Sequence, residues 1–310
     1  MKFAFVFPGQ GSQAIGMLNG FGDNPVVSDT LSEASEAIKV DLARLIAEGP
    51  KEELDLTTNT QPVMLAAAVA TWRAWLAAGG AMPALVAGHS LGEYSALVAA
   101  GVIRFADAVP LVRFRAQAMQ EAVPVGQGGM AAILGLSDED VRAACAEAAQ
   151  GEVVEPVNFN APAQVVIAGH KGAVERACDA AKGRGAKRAL VLPVSAPFHS
   201  SLLQPASIRL RDYMAGLTFA VPVLPLINNV DVAMVNDPSS IKDALVRQAA
   251  SPVRWVETVQ KFATEGITHV IECGPGKVLA GLTKRINGDL TGDAIVDQAS
   301  LERILELVKQ

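Results

Sequence analysis

Hydrophobic positions along the chain fall into two kinds of run. Short apolar stretches such as Phe3–Phe7 and Ala84–Ala87 alternate with longer segments of helical spacing. That alternation predicts an α/β protein whose strands are buried on both faces. Phe3–Phe7 reads as a first strand, closed by the turn Pro8-Gly9-Gln10-Gly11. A mainly helical region covers about 28–79, including the alanine-rich run after Gln61-Pro62. Ala84–Ala87 reads as a second strand, with a helix beginning near Ser90 and another over about 105–123.

Beyond Gly126 the pattern changes. Met130–Leu134 is a strand, and Ser137 caps a helix rich in acidic residues in its first turn. Val153–Phe159 and Gln164–Ala168 are strands joined by a turn at Asn160-Ala161-Pro162. A helix over about 172–183 and a strand at Lys187–Leu192 complete the unit. The order β-α-β-β-α-β is a ferredoxin-like arrangement. The expected organisation is therefore a large α/β domain with a mostly parallel sheet, residues 1–125 and 195–310, interrupted by a small subdomain at 126–194. Leu224–Ile227 and His269–Glu272 would complete the large sheet.

Composition narrows the function. Half of the 310 residues are hydrophobic, 19% are charged, and the aromatic share is 5%. Such a chain can bury a large core, which excludes disorder as its main state. A net charge of −6 argues against a broad basic face for nucleic acid. The three cysteines form no C-x-x-C pair, so neither a zinc site nor a disulfide scaffold is expected. No apolar run is long enough to span a bilayer, and the apolar N-terminus is too short for a signal peptide. A cytoplasmic globular protein is the expectation.

The strongest motif is Gly88-His89-Ser90-Leu91-Gly92, between an apolar strand and a helix-forming run. In that context a G-x-S-x-G sequence projects its serine from the top of the sheet as a nucleophile. Its plainer alternative is a glycine-flanked turn with a capping serine. A serine nucleophile needs a base. His89 adjoins it in the turn, so its side chain should point elsewhere, and His170 and His269 fit a helix start and a strand end. His199, in Ser195-Ala196-Pro197-Phe198-His199-Ser200, follows the inserted subdomain and suits a base, against a loop-packing alternative. Asp231 and Asp237 are open as a third, orienting group, and a backbone or amide oxygen is equally open.

Gly9, Gly11 and Ala14 fit a dinucleotide fingerprint, but no second strand follows at the required distance. That turn is better used to bring a backbone N–H beside Ser90. Arg115 lies on an apolar helix face: at about 100° per residue from Leu111 it falls near 40°, inside the stripe with Ala118 and Met119. A guanidinium there needs an anion, either an internal ion-pair partner or a bound carboxylate, unless it snorkels to the edge.

Four blocks together resemble the bacterial malonyl-CoA:acyl carrier protein transacylases. They are Phe5–Gln13, Gly88–Tyr94, Val157–Asn160 and Glu272–Lys277, in this order over essentially the whole chain. The resemblance implies an α/β-hydrolase-like large domain, no cofactor, and ping-pong transfer of malonyl from malonyl-CoA to the phosphopantetheine thiol of acyl carrier protein. It matches Ser90 to the nucleophile, His199 to the acid–base, and Gln248 to the residue whose carbonyl orients the histidine. Gln10 and Leu91 match the oxyanion donors, Arg115 matches the arginine that holds the malonyl carboxylate, and Asn160 falls near the site without an assigned role. Phe198, where many members carry a smaller residue, tends to accompany malonyl as the extender unit. A serine hydrolase is the rival enzyme, and a dinucleotide-binding or scaffold protein the rival outside catalysis. Docking of an acidic carrier would need a local basic patch, for which Lys182, Arg184, Lys187, Arg188, Lys277, Lys284 and Arg285 are candidates.

Overall fold

Phe3–Phe7 (β1) lies in a parallel sheet covered on both faces, so all five side chains are buried. Phe3 and Phe5 meet Trp72 and Trp75 edge-on, with centroids 5.2–6.3 Å apart. Ala4 and Val6 point the other way, into a cluster with Trp255, Val259 and Phe262. The computed structural model describes residues 1–194 and 196–309. Ser195, where the second large-domain segment was expected to begin, lies outside them.

The helical region after β1 resolves into α1 (Pro25–Ile38), α2 (Leu42–Glu48), α3 (Lys51–Leu54) and α4 (Thr57–Ala77). Asn24 and Asp41 cap the first two through their side chains. Helix α4 is apolar nearly all round because it runs through the core rather than over it. The chain continues through β2 (Leu85–Gly88), α5 (Gly92–Ala99) and α6 (Phe105–Glu121). Helix α5 starts two residues later than expected because Ser90 has φ +51°, outside the right-handed helical region.

Next come β3 (Gly128–Leu134), α7 (Asp138–Ala149, capped by Ser137), β4 (Val154–Ala161), β5 (Gln164–His170), α8 (Lys171–Gly183) and β6 (Arg188–Val191). Their antiparallel sheet has the order β4-β5-β3-β6, the ferredoxin-like order. Strand β4 continues through Asn160 to Ala161, so the turn expected there falls at Pro162-Ala163, with Ala163 at φ +58°. Ala131 and Ile133 of β3 pack under α7 and α8, whereas Met130 faces the opposite side with Val166 and Phe198.

The remainder contains α9 (Gln204–Ala215), β7 (Leu226–Ile227), α10 (Pro238–Gln248), α11 (Trp255–Thr264), β8 (His269–Cys273), α12 (Val278–Ile286), β9 (Thr291–Ile295) and α13 (Gln298–Val308). The large sheet runs β7-β2-β1-β8-β9, parallel throughout. Phe7 of β1 pairs with Gly88 of β2, and Ala87 with Ile227 of β7. The loops that follow these three strands therefore emerge side by side at the carboxyl ends of the sheet, where α/β folds bind ligands. The two sheets are tied where β4 meets the loop after α10: Phe159 N donates to Val253 O at 3.0 Å, and Val253 N to Val157 O at 2.8 Å.

Candidate active site

Gly88 and Gly92 are dictated by close approach. A Cβ on Gly92 would sit 2.0 Å from Phe7 O, and one on Gly88 would sit 1.9 Å from Gly92 C. The turn packed between them holds Ser90 in the left-handed region, a strained position that lifts its hydroxyl off the sheet. Asn229, in the loop after β7, braces this turn from below. Its Oδ1 accepts from Ser90 N at 2.7 Å and its Nδ2 donates to Gly88 O at 2.6 Å.

Ser90 Oγ lies 2.7 Å from His199 Nε2. His199 is buried and also left-handed, at φ +65°. Its Nδ1 lies 2.8 Å from Gln248 O. A carbonyl only accepts, so Nδ1 carries the ring proton and the Nε2 lone pair faces the serine. Burial first, and the Arg115 guanidinium second, pull His199 down to about 3, so the imidazole is neutral at pH 7. Neither carboxylate considered as an orienting acid reaches it. Asp231 forks with Arg247 at 2.8 Å, and Asp237 caps α10.

Arg115 is buried, as the helical stripe predicts. Its Nη1 donates to Gln61 Oε1 at 2.8 Å, and its Nη2 to Gln248 Oε1 at 2.9 Å and Ser90 Oγ at 3.2 Å. Every one of these acceptors is neutral. The guanidinium also lies over the Tyr94 ring, 5.3 Å from its centroid. Among the described residues, neither Gln10 N–H nor Leu91 N–H donates a hydrogen bond. Leu91 is the N-cap of α5. The N–H groups of Gly92, Glu93 and Tyr94 are already paired with the carbonyls of His89, Ser90 and Leu91, so the Leu91 N–H is the donor left at a helix end whose dipole favours negative charge. The Gln10 side chain is fixed by Thr57, whose hydroxyl donates to Oε1 at 2.7 Å.

These groups line a cavity of about 520 Å³ between the two sheets. Met130, Val166, Leu192, Val194 and Phe198 form its apolar wall, from or beside the small sheet. Asn160 projects from β4 with its Oδ1 2.8 Å from His89 Nε2. His89 borders the same cavity, and as expected its ring points away from Ser90, engaging Asn160 and packing on Trp255.

Gln61, Glu93 and Asn229 were not singled out from the sequence, yet they hold the site together. Gln61 stands at the head of the alanine-rich helix, a polar side chain in an apolar run, and that was its signal. Glu93 follows the serine motif on α5. Its buried Oε2 accepts from Asn229 N at 3.0 Å and Gln248 Nε2 at 2.9 Å. Burial pushes its carboxyl up to about 7, against the pull of those two donors and of Arg115.

The acyl transferase domain family matches residues 4–289. The malonyl CoA-acyl carrier protein transacylase of Salmonella typhimurium is 57% identical over 98% of this chain and 99% of its own length. A crystal structure of an acyl-carrier-protein S-malonyltransferase from Burkholderia pseudomallei is 70% identical and superposes with a TM-score of 0.97, covering 99% of this chain and 100% of that one. A malonyl-transacylase solved in complex with its type II PKS acyl-carrier protein is 53% identical, with a TM-score of 0.98 and coverage of 99% and 100%. A serine, a neutral histidine and a buried arginine thus meet at one cavity in a fold shared end to end with these enzymes, and the chain belongs to the acyl transferase family that includes the bacterial malonyl-CoA:acyl carrier protein transacylases.

Proposed function

We propose that the enzyme moves malonyl from malonyl-CoA to the phosphopantetheine thiol of acyl carrier protein in two half-reactions through a malonyl ester on Ser90. The observation that carries this reading is the 2.7 Å contact of Ser90 Oγ with His199 Nε2, with Arg115 Nη2 3.2 Å from the same oxygen. In the first half-reaction His199 takes the Oγ proton, the Oγ–C bond forms, the C–S bond breaks, and the proton passes to the departing thiolate. In the second, the carrier thiol gives its proton to His199 and attacks the ester, and Ser90 recovers the proton. The Gln248 carbonyl keeps the ring in the tautomer needed. The N–H groups of Gln10 and Leu91 would receive the oxyanion.

The free carboxylate of malonyl separates it from acetyl, and the Arg115 fork supplies its counter-charge. Docking that carboxylate also offsets the positive field that depresses His199, so the base strengthens when the correct acyl group is present. The apolar wall from the small sheet keeps the ester dry between the half-reactions. The proposed division of the chain at 126 and 195 follows this split between reacting floor and covering wall. A cytoplasmic location fits the three free, buried cysteines.

Incubation with malonyl-CoA followed by intact-mass measurement should show an adduct of about 86 Da, the formula mass of a malonyl ester formed by nucleophilic catalysis. Peptide mapping should place it on Ser90, and Ser90→Ala should abolish it. Malonyl transfer by Ser90→Ala at the wild-type rate would overturn the reading.

A further inference from the structure

A buried carboxylate sits in the arginine network with no part in the reaction as described. Glu93 is 2% exposed and Arg115 is 1% exposed. Gln248 bridges them, accepting from Arg115 through Oε1 and donating to Glu93 through Nε2. Above neutral pH these side chains put one buried cation and one buried anion in a single hydrogen-bonded cluster. A malonyl carboxylate docked on Arg115 would add a second anion to this dry cluster, whereas an acetyl group would add none. Excess buried charge is costly, and a carboxyl group avoids it by binding a proton.

We propose that Glu93 takes up a proton from solvent when malonyl, but not acetyl, is loaded onto Ser90, so that acyl selectivity is proton-coupled. This rests on the malonyl-ester reading above. The acyl transfer itself moves the serine proton to the coenzyme A thiol and leaves the net proton count unchanged. The extra proton goes from water to the Glu93 carboxylate.

Other charged and titratable groups around Glu93 are few. Arg115 faces it from α6, Asp231 from the loop after β7, and Tyr94 adjoins it on α5. Asp231 is neutralised by its fork with Arg247, and burial holds the Tyr94 hydroxyl up at about 12. His199 and His89 are both depressed by burial. Glu93, which burial raises to about 7, is poised to respond when a negative charge arrives. That charge stabilises the protonated form and raises its pKa further, so proton uptake accompanies loading in the window just above neutrality. By the same linkage, the preference for malonyl over acetyl strengthens as pH falls through that window.

The test uses a weakly buffered indicator assay of proton uptake during loading with malonyl-CoA or acetyl-CoA, between about pH 7 and 9. Wild type should take up a substantial fraction of one proton more with malonyl. The malonyl-to-acetyl ratio of kcat/KM should rise about tenfold from pH 9 to 7, for a charge placed several ångströms away at an effective dielectric near 20. The phosphates and thiol of coenzyme A are common to both substrates and cancel in the ratio. In Glu93→Gln the difference in uptake should vanish and the ratio should become flat, which a merely structural role would not produce. Persistence of the difference in that variant would assign the proton to another group, such as His199, and overturn the proposal. If the variant does not fold, the wild-type measurement still decides, since equal uptake for the two acyl groups also overturns it. Failure of wild type to form any malonyl adduct removes the ester and this proposal together, whereas an adduct formed with equal uptake removes this proposal alone.

Discussion

The two sides of the cavity are built on different terms. On the large-sheet side, Ser90, His199, Arg115, Gln248, Asn229 and Glu93 form one continuous hydrogen-bonded network, with Ser90 and His199 both held at positive φ. On the small-sheet side, the lining is apolar apart from the amides of Asn158 and Asn160. Strand β2 is flanked by neighbours on both sides, so the loop it launches is fixed to the precision that acid–base chemistry needs. Strand β6 is an edge, and its Leu190 and Val191 are exposed. Reaction geometry is thus concentrated around an interior strand of the large sheet, and enclosure and access around the small sheet, whose β6 is an edge strand. Substitutions on the first side should damage chemistry and acyl choice, and those on the second should alter how partners arrive.

The largest effect is expected at His199. Removing one group that serves as base and then acid should slow both half-reactions, typically by about 10²–10⁴-fold. Rapid-quench measurement of ester formation from malonyl-CoA, and of its discharge to carrier protein, would check this for His199→Ala. Loss confined to one half-reaction would contradict a shared acid–base.

Arg115 comes next and separates acyl choice from chemistry. Truncating one partner of a desolvated ion pair costs about 2–5 kcal/mol, or roughly 30-fold to several-thousand-fold. Arg115→Ala should lose malonyl transfer on that scale while acetyl transfer falls little or rises. Arg115→Lys should lie between, because the charge remains and the fork is lost. The measurement is kcat/KM for both coenzyme A esters. Equal losses would make Arg115 a structural residue of α6 rather than the carboxylate site.

How much of this was legible beforehand follows from the range of each interaction. The serine turn carries its information in five consecutive residues, and Arg115 shows itself by position on a helical wheel. The ferredoxin-like order of the small sheet was readable because each strand and helix has its own uninterrupted pattern. Gln61, Glu93 and Asn229 were not readable: each acts on partners that only the fold brings near, such as Asn229 on Ser90, 139 positions apart. An amide or an acid in an ordinary helix or loop has no local signature for such a task. Strand β9 was missed for a different reason. Thr291-Gly292-Asp293-Ala294-Ile295 sits half-exposed at the sheet edge, where its glycine and aspartate read as a loop.

The smallest effect, and the one that probes the small-sheet side, concerns carrier docking. Several of the basic candidates are already engaged: Lys182 pairs with Asp179 at 3.5 Å, Arg184 with Glu147 at 3.0 Å, and Arg285 donates to Gln164 at 2.7 Å. Among the described residues, Lys187, Arg188, Lys277 and Lys284 have no carboxylate within 4.0 Å, so their charge is free to meet an acidic partner. Arg188 opens the edge strand β6 beside Leu190 and Val191, placing positive charge next to exposed apolar surface near the apolar wall. A docking protein can use both, steering by charge and then burying the apolar residues. Exposed pairs are worth about 0.2–1 kcal/mol each, so Lys187→Glu or Arg188→Glu should raise KM for carrier protein by roughly 1.4- to 5-fold. The effect should shrink as salt rises, because screening weakens exposed charges. KM for malonyl-CoA should be nearly unchanged, since neither residue lines the cavity. Steady-state kinetics with each substrate varied in turn, at low and high salt, decides the matter. Equal changes for both substrates would remove the docking role from β6 and leave these residues as ordinary solvated charges, with the small sheet serving enclosure alone.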